Sequence, residues 1–178
     1  ARTLNRCVDV ITLREPDSQA ELAAMGVTKP RILLTADPAL TLPAAREDET
    51  DSVLLRAGIP PHGKYLCFAL RRWPGFEEKA PAIRAAAAYA YETYGLTPVF
   101  LSVEKHQDPG AGRLAAQGLD IPHYFLDDAG GAGTIIGALS RMEAVVSMRL
   151  HALIFAAGQG IPLAGIVYDP KVSAFLRY

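Results

Sequence analysis

Short apolar runs alternate with amphipathic stretches along the whole chain, and from Lys64 onward the alternation is regular. In that part the pattern predicts strands over Tyr65–Leu70, Pro98–Val103, Pro122–Leu126, Ala144–Ser147 and Pro162–Val167. Between them it predicts helices over Lys79–Tyr94, Gly112–Gln117, Thr134–Met142 and Leu150–Gly158, with another helix beginning at Val172. Gly95, directly after the alanine-rich helix, is the expected C-terminal stop. Ahead of this region, Cys7–Leu13 and Ile32–Ala36 read as strands around a short helix over Asp17–Met25, stopped by Gly26. The polar stretch Leu42–Asp51 holds Pro43 and four acidic residues and reads as a linker, followed by a short helix over Ser52–Ala57. Strands alternating with helices predict an α/β fold, with a Rossmann-like, mostly parallel sheet flanked by helices. The organisation expected is the end of one Rossmann-like unit at 1–45, a linker and short helix at 46–63, and a second Rossmann-like domain at 64–178.

Composition narrows the function classes. Half of the 178 residues are hydrophobic, enough to bury a core, and the formal net charge is -1. That charge gives no electrostatic footprint for nucleic acid. No apolar run is long enough for a transmembrane segment. Cys7 and Cys67 sit in apolar runs without CxxC spacing and read as two buried thiols in a reducing compartment. His62, His106 and His123 have no ligand spacing, so no metal site is expected. The chain opens on Ala1, with regular structure expected almost at once. It therefore reads as a cut or processed piece, in which missing targeting signals carry no weight.

In an open α/β sheet, ligands collect at the carboxyl ends of the strands, so the residues there are the candidates for chemistry. Arg71-Arg72-Trp73-Pro74-Gly75 places two guanidinium groups at a strand end, where they could clamp phosphate or carboxylate oxygens or stand as a solvated surface pair. Ser147-Met148-Arg149-Leu150-His151 opens an apolar helix, whose free N–H groups favour an anion. There Arg149 adds a cation and His151 a proton carrier; the plainer alternative is a satisfied structural histidine. In Tyr168-Asp169-Pro170-Lys171, Asp169 and Pro170 form a helix-start signature, and Lys171 is a cation poorly placed against the helix dipole unless an anion binds. The glycine-rich loop Asp127–Gly133 lacks the GxGxxG pattern and reads as a flexible connection.

Several of these segments together resemble the polysaccharide pyruvyl transferase family, most closely its bacterial cell-wall, S-layer-anchoring-polymer type. The specific combination is Arg149-Leu150-His151 followed, after a strand, by Tyr168-Asp169-Pro170-Lys171. Arg14 at the end of Ile11-Thr12-Leu13, the Asp37-Pro38 element and the Arg71-Arg72-Trp73 strand end agree with it. Glu15 departs from it, since many relatives carry Asp there. The resemblance implies a GT-B-like two-domain enzyme, of which this chain would be mainly the C-terminal, donor-binding half. It implies transfer of a pyruvyl group from phosphoenolpyruvate to a saccharide acceptor, lipid-linked, with no cofactor, in the cytoplasm at the inner face of the membrane. The implied catalytic residues are His151 and Lys171. The implied substrate-binding residues are Arg14, Arg71 or Arg72, Arg149, Leu150 and Asp169. Two rivals remain at this stage: a GT-B sugar-nucleotide glycosyltransferase and a non-catalytic anion-binding domain. The acceptor sugar and the oligomeric state are open.

Overall fold

The computed structural model describes residues 1–177, so the last residue of the segment 64–178 lies outside the described residues. The elements run α1 (Arg2–Cys7), β1 (Val10–Leu13), α2 (Asp17–Ala24), β2 (Arg31–Leu34), a 3-10 turn (Pro38–Thr41) and α3 (Glu47–Arg56). They continue as β3 (Tyr65–Ala69), α4 (Phe76–Tyr94), β4 (Thr97–Leu101), α5 (Pro109–Ala116) and β5 (Tyr124–Leu126). The last are α6 (Ala132–Leu139), β6 (Ala144–Ser147), α7 (Leu150–Gly158), β7 (Leu163–Gly165) and α8 (Pro170–Leu176).

Two sheets form, both parallel: β1 pairs with β2, and a separate five-stranded sheet has the order β5-β4-β3-β6-β7. The larger sheet is buried on both faces, which is why β3 is apolar at every position. Tyr65, Cys67 and Ala69 face α3, α6 and α7, packing with Leu54, Ile136, Leu139 and Phe155. Leu66, Phe68 and Leu70 face α4 and α5, packing with Phe76, Ile83, Ala87 and Ala115. Crossovers between parallel strands are right-handed, so helices on opposite faces carry the chain in opposite directions along the sheet. From β3 the chain moves outward through β4 to β5 by α4 and α5; it then returns by α6 to β6 on the other side of β3. The carboxyl ends of β3 and β6 therefore flank the point of reversal, where a Rossmann-like sheet opens a crevice.

Several local expectations change; helix α5 starts at Pro109 and α8 at Pro170, ahead of the expected Gly112 and Val172. The stretch Cys7–Leu13 is not one strand: Cys7 ends α1, and pairing starts at Val10. Leu4 and Val8 are four apart and share a helical face, and the Val8 N–H closes on the Leu4 carbonyl at 3.1 Å. Cys7 is consequently exposed, while Cys67 is sealed in the sheet, where burial pushes its thiol up to about 12. The acidic end of Leu42–Asp51 is helical, because Glu47, Asp48 and Glu49 occupy the first turn of α3, the end that favours negative charge.

Gly137 of α6 lies against Thr50 of α3 so closely that an added Cβ would stand 2.2 Å from Oγ1. That hydroxyl is buried with no partner among the described residues. Gly137→Ala is expected to destabilise the fold by about 1–3 kcal/mol, with most of the loss recovered by adding Thr50→Ala. Urea denaturation of the single and double variants measures both.

Candidate functional site

The turn after β6 is built by Ser147, whose side chain is fully buried. Its hydroxyl oxygen accepts from the Arg149 N–H at 2.8 Å and lies 2.9 Å from the Arg149 carbonyl and 3.2 Å from the Ala69 carbonyl. The Ala69 carbonyl also accepts from the Met148 N–H at 2.9 Å, tying the end of β6 to the end of β3. Helix α7 then starts at Leu150 with no side chain capping its first N–H groups. His151, in its first turn, is exposed, with its ring 6.0 Å from that of Phe155.

Asp37, from the segment before the 3-10 turn, lies near His151. It accepts from the Ala39 N–H at 2.9 Å and from Arg14 Nη1 at 2.8 Å. Burial raises the Asp37 carboxyl, but the Ala39 N–H, the Arg14 guanidinium and nearby His151 together hold it below the usual carboxylate range. A small pocket beside it is lined by Arg14, Glu15, Leu40, Leu150, Ile154 and Lys171, among others. The strap from Asp37 to Thr41 can lie this close because α7 has no side chain at Gly158, where a Cβ would stand 2.7 Å from the Leu40 carbonyl oxygen.

Lys171 sits at the start of α8. Asp169 caps that helix as its sequence suggests, accepting from the Lys171 N–H at 3.0 Å, with Pro170 at the first position. Lys171 Nζ is 3.4 Å from Asp169 Oδ2 and 6.0 Å from the centre of the Tyr168 ring. The Asp169 carboxyl is held below the usual range, chiefly by the Lys171 N–H against its desolvation, and then by the charges of Lys171 and Arg71. Arg71 lies over the Trp73 ring at 5.5 Å, and Trp73 meets Tyr168 edge-on at 5.0 Å.

The expected residues therefore divide. Arg14, Leu150 and Lys171 line one pocket, His151 stands near the Asp37 of its lining, Asp169 pairs with Lys171, and Arg71 is close enough to Asp169 to lower its carboxyl. Arg72 turns away, pairing with Glu77 and lying against Gly110 at the start of α5. Arg149 turns inward onto Asp108, with Nε 2.9 Å from Oδ2 and Nη2 bonded to Oδ1. Asp108 is absent from the sequence expectations. The available signal is the Asp-Pro dipeptide, which occurs at 37–38, 108–109 and 169–170. Asp37 and Asp169 cap the turn or helix that follows, whereas Asp108 accepts from the Val103 and Glu104 N–H groups behind it. At the glycine-rich loop the neighbouring cations face acids: Asp127 pairs with Arg113, and Asp128 lies 4.0 Å from Lys105 Nζ and accepts from the Gly130 N–H.

Because the Asp37 carboxyl titrates lower when folded than the ordinary value of about 3.9, its hydrogen bond from the Ala39 N–H and its pairing with Arg14 together contribute stability above that pH. That contribution is lost as pH falls through the folded value. Asp37→Asn is expected to be less stable than the parent near neutral pH, with the gap closing in strong acid. Urea melts at a series of pH values check the sign.

No helix of the described residues is long and apolar enough to cross a membrane. A search of curated proteins found none that matches the chain. The family model for Polysaccharide pyruvyl transferase matches residues 1–170, nearly the whole length. With that match added to the Arg149-Leu150-His151 helix start and its neighbouring cations, the chain belongs to the polysaccharide pyruvyl transferase family, a family of transferases.

Proposed function

We propose that the protein transfers a pyruvyl group from phosphoenolpyruvate to two hydroxyls of one sugar, giving a ketal and inorganic phosphate. The observation that carries this reading is His151, exposed at an uncapped helix start beside Asp37 and next to a pocket lined by Arg14 and Lys171. Phosphoenolpyruvate carries a phosphate and a carboxylate, and needs several cations from different directions. Arg14, Lys171 and Arg71 supply point and fork charges, the start of α7 supplies N–H groups, and Arg149 adds the guanidinium edge that Asp108 leaves uncovered.

In this scheme a proton adds to the methylene carbon of the enol, and positive character develops at the central carbon. One sugar hydroxyl adds there as it loses its proton. Phosphate then leaves, and the second hydroxyl oxygen takes its place. One hydroxyl proton balances the proton now on the methyl group, and the other departs with the phosphate. His151 is the acid/base, since an imidazole can both give and take a proton near neutral pH. Lys171 and the helix start steady the leaving phosphate. The scheme uses no metal or organic cofactor.

The finer reading is that of the bacterial cell-wall type, with a lipid-linked saccharide acceptor met in the cytoplasm at the inner membrane face. Residues 1–45 would be the end of an N-terminal Rossmann-like domain, 46–63 the connection, and 64–178 the donor-binding domain of a GT-B-like enzyme. The separate two-stranded and five-stranded sheets support this division.

His151→Ala is expected to abolish pyruvyl transfer with an unchanged circular dichroism spectrum; near-normal turnover contradicts the role. Phosphoenolpyruvate is expected to raise the melting temperature, by an amount that grows with concentration as binding linkage requires, and Lys171→Ala to reduce the rise. Stabilisation by nucleotide sugars instead would favour a glycosyltransferase.

A further inference from the structure

The Asp108 side chain has no solvent exposure, and its two oxygens accept four hydrogen bonds. Two come from the Val103 and Glu104 N–H groups, at 3.1 and 2.9 Å, which fix the loop leaving β4. The other two come from Nε and Nη2 of Arg149, the N-cap residue of α7. A buried carboxylate is costly unless paired and fully hydrogen-bonded, and here one guanidinium supplies the whole counter-charge. The pair joins positions 41 apart in the chain and crosses the mouth of the sheet, from the β4 end to the β6 end.

The geometry has a consequence for the arginine. A guanidinium is planar, with five N–H donors arranged so that it can offer two forks. The Nε–Nη2 fork is taken by Asp108. Among the described residues, Nη1 donates to no protein group, and the Arg149 side chain keeps 15% of its surface exposed. The Nη1–Nη2 edge is therefore held in one orientation beside the strand ends where Ser147 fixes the backbone.

We propose that Asp108 is a positioning residue: it locks Arg149 so that the remaining guanidinium edge is preset for an anionic group of the donor. This rests on the donor reading given above. Two effects oppose each other in Asp108→Asn. Removing the carboxylate leaves Arg149 with more net charge for an anion, but frees its orientation. The proposal is that orientation wins.

Two measurements test it. In the chain with 15N-labelled arginine, the Arg149 Nε–H resonance is assigned by its disappearance in Arg149→Lys. It is expected to exchange slowly with solvent in the parent and rapidly in Asp108→Asn. Fast exchange in the parent, like that of an exposed arginine, overturns the clamp whether or not any ligand binds. Calorimetric titration with phosphoenolpyruvate is expected to show about tenfold to a hundredfold weaker binding for Asp108→Asn, as befits the loss of one oriented charge-assisted contact. Adding Arg149→Lys in that background should weaken binding little further. Equal or tighter binding by Asp108→Asn overturns the proposal. If that variant does not fold, Asp108→Glu, which keeps the charge and moves the carboxylate by one methylene, gives the same comparison. A parent chain that does not bind phosphoenolpyruvate overturns the donor reading alone, and the clamp is then decided by the exchange rate.

Discussion

The reversal of strand order between β3 and β6 is the constraint on which the site depends. Right-handed crossovers oblige α4 and α5 to lie on one face and α6 and α7 on the other, so the two central strands end with no helix directly between them. The shared Ala69 carbonyl and the Ser147 hydroxyl then fix the height at which α7 begins. His151, Arg149 and the uncapped N–H groups take their places from that start. The strap carrying Asp37 reaches the same place because Gly158 leaves room for the Leu40 carbonyl.

Charge is balanced locally around the crevice. Arg14 faces Asp37, Lys171 faces Asp169 and Arg149 faces Asp108. The first two are partly exposed, and solvent-accessible pairs contribute roughly 0–1 kcal/mol each, so much of their value lies in direction. The third is different in kind, because its carboxylate is sealed from water. A doubly charged donor would meet cations whose positions are already set, which lowers the ordering cost of binding.

The sheet is legible in the sequence to a large degree. Ala144–Ser147 and Leu150–Gly158 have the same bounds in sequence and structure, because each is an apolar run between polar or glycine breaks. Edges are less legible. Helix α4 begins at Phe76, ahead of the expected Lys79, since Phe76 is anchored in the core and the helix continues through Pro81. The acidic run before Ser52 reads as linker by polarity, yet its charges suit a helix start. Residue type and strand-end position single out Arg14, Leu150 and Lys171, which line one pocket, and His151, which lies near the Asp37 that borders it. They do not say which way a guanidinium turns. Arg71 and Arg72 are neighbours in sequence and diverge in space, toward Asp169 and Glu77 respectively. Asp108 is marked only by its Asp-Pro dipeptide, which reads locally as a helix cap, because its partner lies 41 positions away.

The most direct test is a crystal structure of the chain with phosphoenolpyruvate bound. Density is expected at the start of α7, with phosphate or carboxylate oxygens within hydrogen-bond reach of Lys171 and of the Arg149 edge not bonded to Asp108, and with the methylene carbon facing His151. A donor bound elsewhere, with the imidazole out of reach of its reacting carbons, would contradict that expectation.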